Sequence, residues 1–409
     1  MPAPTPLGQS SALGLAGGIV LFIFTVVALS GGPPSALGEL RLASFSYTAI
    51  VATFSGAVSW TLVLLYNRVT RPAARVAAVF GGFIVWVLGT MVIDGTTRQG
   101  VQFLLVQSSF LGALLIAATA RNVVGDHLDA VVSKCFQLTT TVLILAALIS
   151  AAGVGLDLGV RPSAILSVIC LSWFLAEYRL GNRRAMWWSL ATFLGIAISL
   201  SRSALFAAFV LVIATAFLAS EKKRGRNAVV CVLLLVAGYW AVTSWAPLRD
   251  RFSEGDVSLS VGGLNINAEG RTKVWAVLWS EAQDTILVGR GPGAASARSV
   301  AMDPAFDHPH NDYLRIVYDF GLVGLALLMW FAVRTTRLLR RARRRARDAI
   351  PPLAGLYAGF AVLLVMTTDN PLDYPFVMIP FGALLGLGLG VRLTEPFRSR
   401  SAVERAPAR

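Results

Sequence analysis

Apolar residues run through the chain in long blocks, broken by short polar segments. Twelve blocks stand out, at roughly 12–30, 47–66, 75–93, 101–120, 136–152, 162–178, 185–201, 203–220, 227–245, 318–338, 352–369 and 375–391. Each approaches the roughly 20 apolar residues that a helix needs to cross bilayer hydrocarbon. Residues 185–220 are too long for one span and suit two. Ser201-Arg202-Ser203 is the polar break there and predicts a tight turn. The pattern predicts an all-α integral membrane protein of about 12 transmembrane helices. Spans one to nine occupy 1–245, and a large extramembrane loop covers 246–317 before the tenth. Spans ten to twelve occupy 318–391, and a basic tail covers 392–409.

Composition sharpens this picture. The 409 residues are 56% hydrophobic and 14% charged, against roughly 25% charged in an ordinary soluble domain. The net charge of +14 does not point to nucleic acid, because Lys and Arg cluster between the apolar blocks. With the N-terminus in the cytoplasm, 25 Lys and Arg fall inside and 11 outside, 7 of the 11 in the long loop. That is the positive-inside bias, with both termini cytoplasmic and the loop facing the periplasm or exterior. Ala28-Leu29-Ser30 could pass as a cleavage site, but residues 1–11 carry no Lys or Arg, so the first block reads as a span. The Arg334–Arg347 cluster reads as a cytoplasmic anchor with affinity for anionic lipid.

Cys135, Cys170 and Cys231 lie in or beside apolar blocks, which predicts no structural disulfide. With no Cys/His cluster, a zinc site is not expected either. Within the loop, Arg271–Glu281 places Val274/Leu278 and Trp275/Trp279 at i,i+4 spacing, an amphipathic helix. It could lie on the bilayer surface or serve as a platform for sugars. Gly289, Gly291 and Gly293 lack the Gly-Lys-Ser/Thr ending of a phosphate-binding loop and read as a flexible turn. Asp369 and Asp373 flank the turn before the last span. They could orient an Arg or His, but a solvated turn built on Asn-Pro is the better account of them.

The sharpest chemical feature is His308-Pro309-His310-Asn311-Asp312-Tyr313, at the edge of the tenth span. Pro309 favours a helix start, which predicts His310 in the first helical turn. A helix N-terminus disfavours a charged imidazole, and a neutral one can act as a general base. Ordinary interface histidines would look the same. Nine residues after Asn311 comes Gly321-Leu322-Val323-Gly324, a spacing that permits close helix packing. Arg202 sits between two apolar blocks, where a cation costs a few kcal/mol and calls for a partner or an anionic substrate.

His310, Asn311, Gly321 and Gly324 together resemble the motif of the bacterial O-antigen ligase and O-antigen polymerase family. Ser201-Arg202-Ser203-Ala204 and Gly270-Arg271 to Trp275 are similar to two further segments of that family, as is the run Gly289-Arg290-Gly291-Pro292-Gly293. The resemblance covers the overall plan and 185–391 in detail. It implies a glycosyltransferase of the bacterial inner membrane, using a glycan on undecaprenyl diphosphate as donor and a glycan or glycolipid as acceptor. Arg202 and Arg271 would hold the diphosphate, His310 would be the base, and His308 and Asn311 would contribute to substrate binding. No cofactor or metal is expected, and inversion at the anomeric carbon is. A polymerase joining repeat units would use the same chemistry. A 12-span transporter is the alternative of another class, but carriers place ionisable groups near mid-membrane. Here they gather at the outer edge.

Overall fold

The computed structural model describes residues 47–66, 68–152, 160–217, 257–261, 264–267, 271–304 and 308–391, with isolated positions at 232, 240 and 244. Among these residues the chain forms α1 (Tyr47–Tyr66), α2 (Arg71–Asp94), α3 (Arg98–Val124), α4 (His127–Ala151), α5 (Val160–Arg179), α6 (Arg184–Ile198) and α7 (Arg202–Phe217). The long loop contributes β1 (Val257–Val261), β2 (Leu264–Asn267), α8 (Arg271–Ala282) and α9 (Ala294–Met302). Then come α10 (Asp312–Arg345), α11 (Ile350–Val365) and α12 (Pro375–Leu389).

Ten predicted apolar blocks coincide with described helices. Block 12–30 lies outside the described residues, and block 227–245 is described only at isolated positions. Four helices, α2, α3, α4 and α10, are long and apolar enough to cross a membrane. Helices α6, α7, α11 and α12 are apolar but shorter. The fold is helical as expected, and the long loop adds one short antiparallel pair, β1 with β2, in which Val261 lies opposite Leu264. The alternation Val257-Ser258-Leu259-Ser260-Val261 has the period of a strand, not a helix. Large apolar side chains such as Leu64, Val92, Trp187 and Trp330 face outward. That is the surface a bilayer would cover.

Helix ends follow local chemistry. Thr70 caps α2 by accepting a hydrogen bond from the Ala73 amide, and Pro72 opens the helix without needing a donor. Thr97 caps α3 through the Gly100 amide at 2.9 Å, while its hydroxyl donates to Pro292 O at 2.6 Å. One side chain thus starts a span and ties it to the loop before α9. The turn between α6 and α7 falls at Ser199–Ser201, with Leu200 at φ 57°.

The core centres on α3, which is buried without interruption from Ser109 to Thr119. Helix α12 packs on it through Gly382, Gly386 and Gly390. A Cβ at those positions would stand 2.5, 2.1 and 2.4 Å from the carbonyl oxygens of Phe110, Leu114 and Ala118. Glycine at every fourth residue lets two backbones touch where no solvent drives helices together. Phe80, Phe83, Phe103, Phe110, Phe320 and Phe331 interlock α2, α3 and α10.

Helix α10 breaks at Gly321, whose φ of 66° and ψ of −172° are open only to glycine. The break frees backbone groups that must find partners. The loop before α9 supplies them. Arg290 N and Gly291 N donate to Tyr318 O and Asp319 O at 2.9 Å each, and Leu322 N donates to Ile286 O at 2.8 Å. Trp86 Nε1 donates to Phe320 O at 2.9 Å. A Cβ on Gly321 would lie 2.1 Å from Leu287 O, and one on Gly289 would lie 2.4 Å from Asp319 O. The expectation of a flexible turn at Gly289–Gly293 is therefore corrected. The segment is a turn, but its backbone is latched into the kink of α10. Gly321 likewise makes room for this loop rather than for a neighbouring helix.

Candidate functional site

Four segments meet at one end of the bundle: the α6–α7 turn, the start of α8, residues 308–319, and the α11–α12 turn. Their meeting point is Asp369. Its Oδ2 accepts from Ser203 Oγ at 3.0 Å and its Oδ1 from the Asn370 amide at 2.8 Å. His310 Nδ1 stands 3.7 Å from Asp369 Oδ1. Burial alone would push this carboxyl upward. His310, the Asn370 amide and the Ser203 hydroxyl outweigh burial and hold it below the usual carboxylate range. Asp369 therefore presents a carboxylate to the histidine at neutral pH.

Arg271, the first residue of α8, donates from Nη1 to Thr368 O at 3.1 Å, one residue before Asp369. Arg202 opens α7, beside the Ser203 that binds Asp369. Arg271 and His310 are thus brought to one carboxylate and its flanking peptide, and Arg202 adjoins the Ser203 bonded to that carboxylate. Asp94, an outer-loop carboxylate, lies instead against Gly291.

His310 does not lie in the first helical turn. Helix α10 begins at Asp312, and Asn311 is its N-cap, with Oδ1 accepting from Leu314 N at 3.0 Å. His310 precedes the cap at φ 52°, a left-handed conformation unusual for a side chain that is not Asn or Gly. The structure over-determines it. Trp275 Nε1 donates to Pro309 O at 2.6 Å on one side, and Asp312 N donates to Met366 O at 2.9 Å on the other. Such strain collects where a side chain must be aimed.

Trp275 also resolves the two readings of α8. Val274, Leu278 and Ala282 are buried against Ala295, Val317 and Tyr318. The apolar face of α8 is a packing face, and Trp275 anchors the His308–His310 segment. Trp279 remains half-exposed. Glu281, at the far end of α8, accepts from Arg298 Nε at 2.9 Å and from Tyr318 Oη at 2.8 Å. These bonds hold its carboxyl below the usual range and clamp α8 to α9 and α10.

His308 faces a second carboxylate. Its Nδ1 shares a hydrogen bond with Ser296 Oγ at 3.0 Å and lies 3.6 Å from Asp373 Oδ2. Asp373 pairs with Arg315 Nη1, and Arg315 Nη2 reaches Asp312 Oδ1 at 2.8 Å. Asp312, Arg315 and Asp373 are all buried. Arg315 stacks over the Phe103 ring at 4.8 Å. Asp312 Oδ2 accepts from Leu372 N at 3.0 Å. The reading of 368–374 as a solvated turn is corrected here. Asn370 is fully buried, and its side-chain amide has no hydrogen-bond partner among the described residues. Its two aspartates bridge to both histidines and to Arg315. Residues 370–373 are buried and form a packed wall of the site, while Thr368 stays exposed.

Several of these residues escaped the sequence reading. Asp312, Arg315 and Asp319 fall at i, i+3 and i+7, one face of a helix entering the membrane. That spacing was the available signal. Ser203 and Asn370 gave none, because their partners lie 166 residues away or are absent. Among the described residues, no group of three or more His, Cys, Asp or Glu side chains is placed to hold a metal ion.

Comparison with known proteins agrees with the resemblance. A family model described as O-antigen ligase matches residues 185–329. The matched stretch includes Arg202, Arg271, His308, His310 and Asn311, and ends before the aspartates of the α11–α12 turn. No curated protein matches the chain.

Proposed function

We propose, from the premise that residues 185–329 belong to the O-antigen ligase family, that the chain transfers a glycan from undecaprenyl diphosphate to an acceptor hydroxyl. The reaction would take place at the outer face of the bacterial inner membrane. The observation that carries this reading is the convergence of His310, Ser203 beside Arg202, and the Thr368 carbonyl held by Arg271 on Asp369 and its flanking peptide.

In this mechanism Asp369 faces His310 Nδ1 and favours the tautomer protonated there. Nε2 is then the proton acceptor, as in other Asp–His pairs. The acceptor hydroxyl gives its proton to Nε2 as its oxygen attacks the anomeric carbon. The bond to the diphosphate breaks, and the electron pair leaves with the phosphate oxygen. Configuration inverts. Arg202 and Arg271 hold the diphosphate and stabilise the charge growing on it. A guanidinium offers two parallel donors to phosphate oxygens, so the reaction needs no metal ion. The donor arrives lipid-linked, so no nucleotide sugar is needed. The fold would place this site outside through twelve spans with both termini cytoplasmic.

The test is complementation of a deletion strain, with envelope glycan and lipid-linked glycan resolved by size and mass. Loss of His310 as base is expected to lower transfer by about 10²–10⁴. His310→Ala and Arg202→Ala should therefore abolish the product while lipid-linked donor accumulates. Long accumulated chains identify a ligase, and single repeat units identify a repeat-unit polymerase. A normal glycan profile in both well-folded variants refutes the assignment and turns attention to transport.

A further inference from the structure

Beside the His310 centre lies a pocket of about 290 Å³. It sits near the lower end of the usual range for small-molecule sites, roughly 300–1,000 Å³. Gln99 and Gln102 from the start of α3 line one side, and Ser296 from α9 and His308 line the other. Arg315, Asp319 and Asp373 form its charged wall. The pocket and the His310 centre share the α11–α12 turn. Asp369 faces His310 and Ser203, whereas Asp373 faces His308 and Arg315. His308, two residues before the proposed base, lines the pocket, whereas Arg202 and Arg271 do not.

We propose that this pocket seats the acceptor saccharide, a neutral polyhydroxylated ring whose hydroxyl reaches His310 while the lipid diphosphate occupies the Arg202 and Arg271 side. The inference rests on the transferase reading above and adds the acceptor subsite to it. Its chemistry comes from the lining. Gln amides and a Ser hydroxyl each offer both donors and acceptors, and the His308 ring adds a polar edge, which matches sugar hydroxyls. Its electrostatics disfavour a second diphosphate. Of the two guanidinium groups in the lining, Arg315 is already met by Asp312 and Asp373. Asp319 has its oxygens filled by Gly293 N at 3.1 Å and Ala295 N at 2.7 Å, so it closes the α9 N-terminus to an anion. Arg98 sits exposed at the rim. An in-line displacement needs the attacking hydroxyl opposite the leaving group, and the two sides of the turn provide that separation.

The experiment uses the full-length protein in nanodiscs, with lipid-linked donor and unmodified envelope glycan both purified from the deletion strain. Gln99→Trp and Val300→Trp fill the mouth from two exposed rim positions, and Gln102→Ala removes a lining amide. The expected result is an apparent KM for the acceptor glycan raised about tenfold or more, with turnover at saturation largely kept, the signature of lost ground-state binding. Binding of undecaprenyl diphosphate itself should be unchanged, which also shows that the variants fold. An unchanged acceptor KM in all three variants overturns the proposal. So does a rise confined to the donor KM, which would give the pocket to the donor sugar. If wild type fails to transfer under the same conditions, the transferase reading falls and this inference falls with it. Failure of this inference alone leaves wild type active.

Discussion

The two halves of α10 carry similar charge to opposite effect. Before the kink at Gly321, Asp312, Arg315 and Asp319 are buried and bonded to three other segments of the chain. After it, Arg337, Arg340, Arg341, Arg344 and Arg345 stand exposed, while the buried face of the same stretch carries Leu338, Leu339 and Ala342. A charge at a water-accessible helix end is solvated and costs little. A charge inside the bundle persists only where a partner offsets its desolvation. The half before the kink therefore reports a bonded arrangement, and the half after it reports solvated charge.

The comparison breaks most sharply at Arg315. Arg315→Ala leaves Asp312 and Asp373 buried without their cation and is expected to cost about 3–5 kcal/mol. Thermal unfolding of purified protein, followed by size-exclusion chromatography, would show it. A variant as stable as wild type would mean that the charges before the kink are no more structural than those after it.

A smaller effect is expected at Asp369. Asp369→Asn keeps the shape but removes a charge-assisted contact worth about 1.5–3 kcal/mol, or about 10- to 100-fold in transfer rate. The pH dependence has a fixed sign. Because Asp369 is held below its ordinary value, its stabilising contribution is present above the unfolded-state pKa of about 3.9. It is lost only as pH falls through the lower folded-state value. The stability gap between wild type and Asp369→Asn should thus be flat near neutrality and close in acid. A gap that closes near neutrality would contradict the pairing with His310.

The smallest effect belongs to the half after the kink. Arg340→Ala and Arg341→Ala should each change stability by no more than about 0.5 kcal/mol and leave transfer intact. Their expected readout is weaker retention on vesicles containing anionic lipid. A large stability loss would show that this face is packed rather than solvated.

Much of the site was legible in sequence because its key residues are chemically out of place. Arg202 interrupts an apolar stretch, and two of the three histidines fall at one span edge. What stayed illegible were the partners. Asp369 and Asp373 look like ordinary turn residues, since the pattern Thr-Asp-Asn-Pro is common where chains bend in water. Their burial depends on α3 and α12 packing against the turn and on Arg315 of α10 reaching Asp373. Glycine spacing was equally ambiguous. Gly321 and Gly324 suggested helix packing, but Gly321 admits the loop carrying Gly289. The packing repeat at Gly382, Gly386 and Gly390 drew no notice within an apolar run.

The sequence by itself determined which segments are helical and apolar. Hydrophobic periodicity and length are local properties, and a helix in lipid satisfies its backbone within itself. It also determined which side chains could do chemistry, because an Arg or His at a membrane edge carries a cost that needs a reason. Only the tertiary structure decided which of them meet. Ser203 and Asp369 are 166 residues apart, and no local rule links them. Helix packing does so, by bringing the ends of α7, α10 and α11 within hydrogen-bond reach at one face of the bundle.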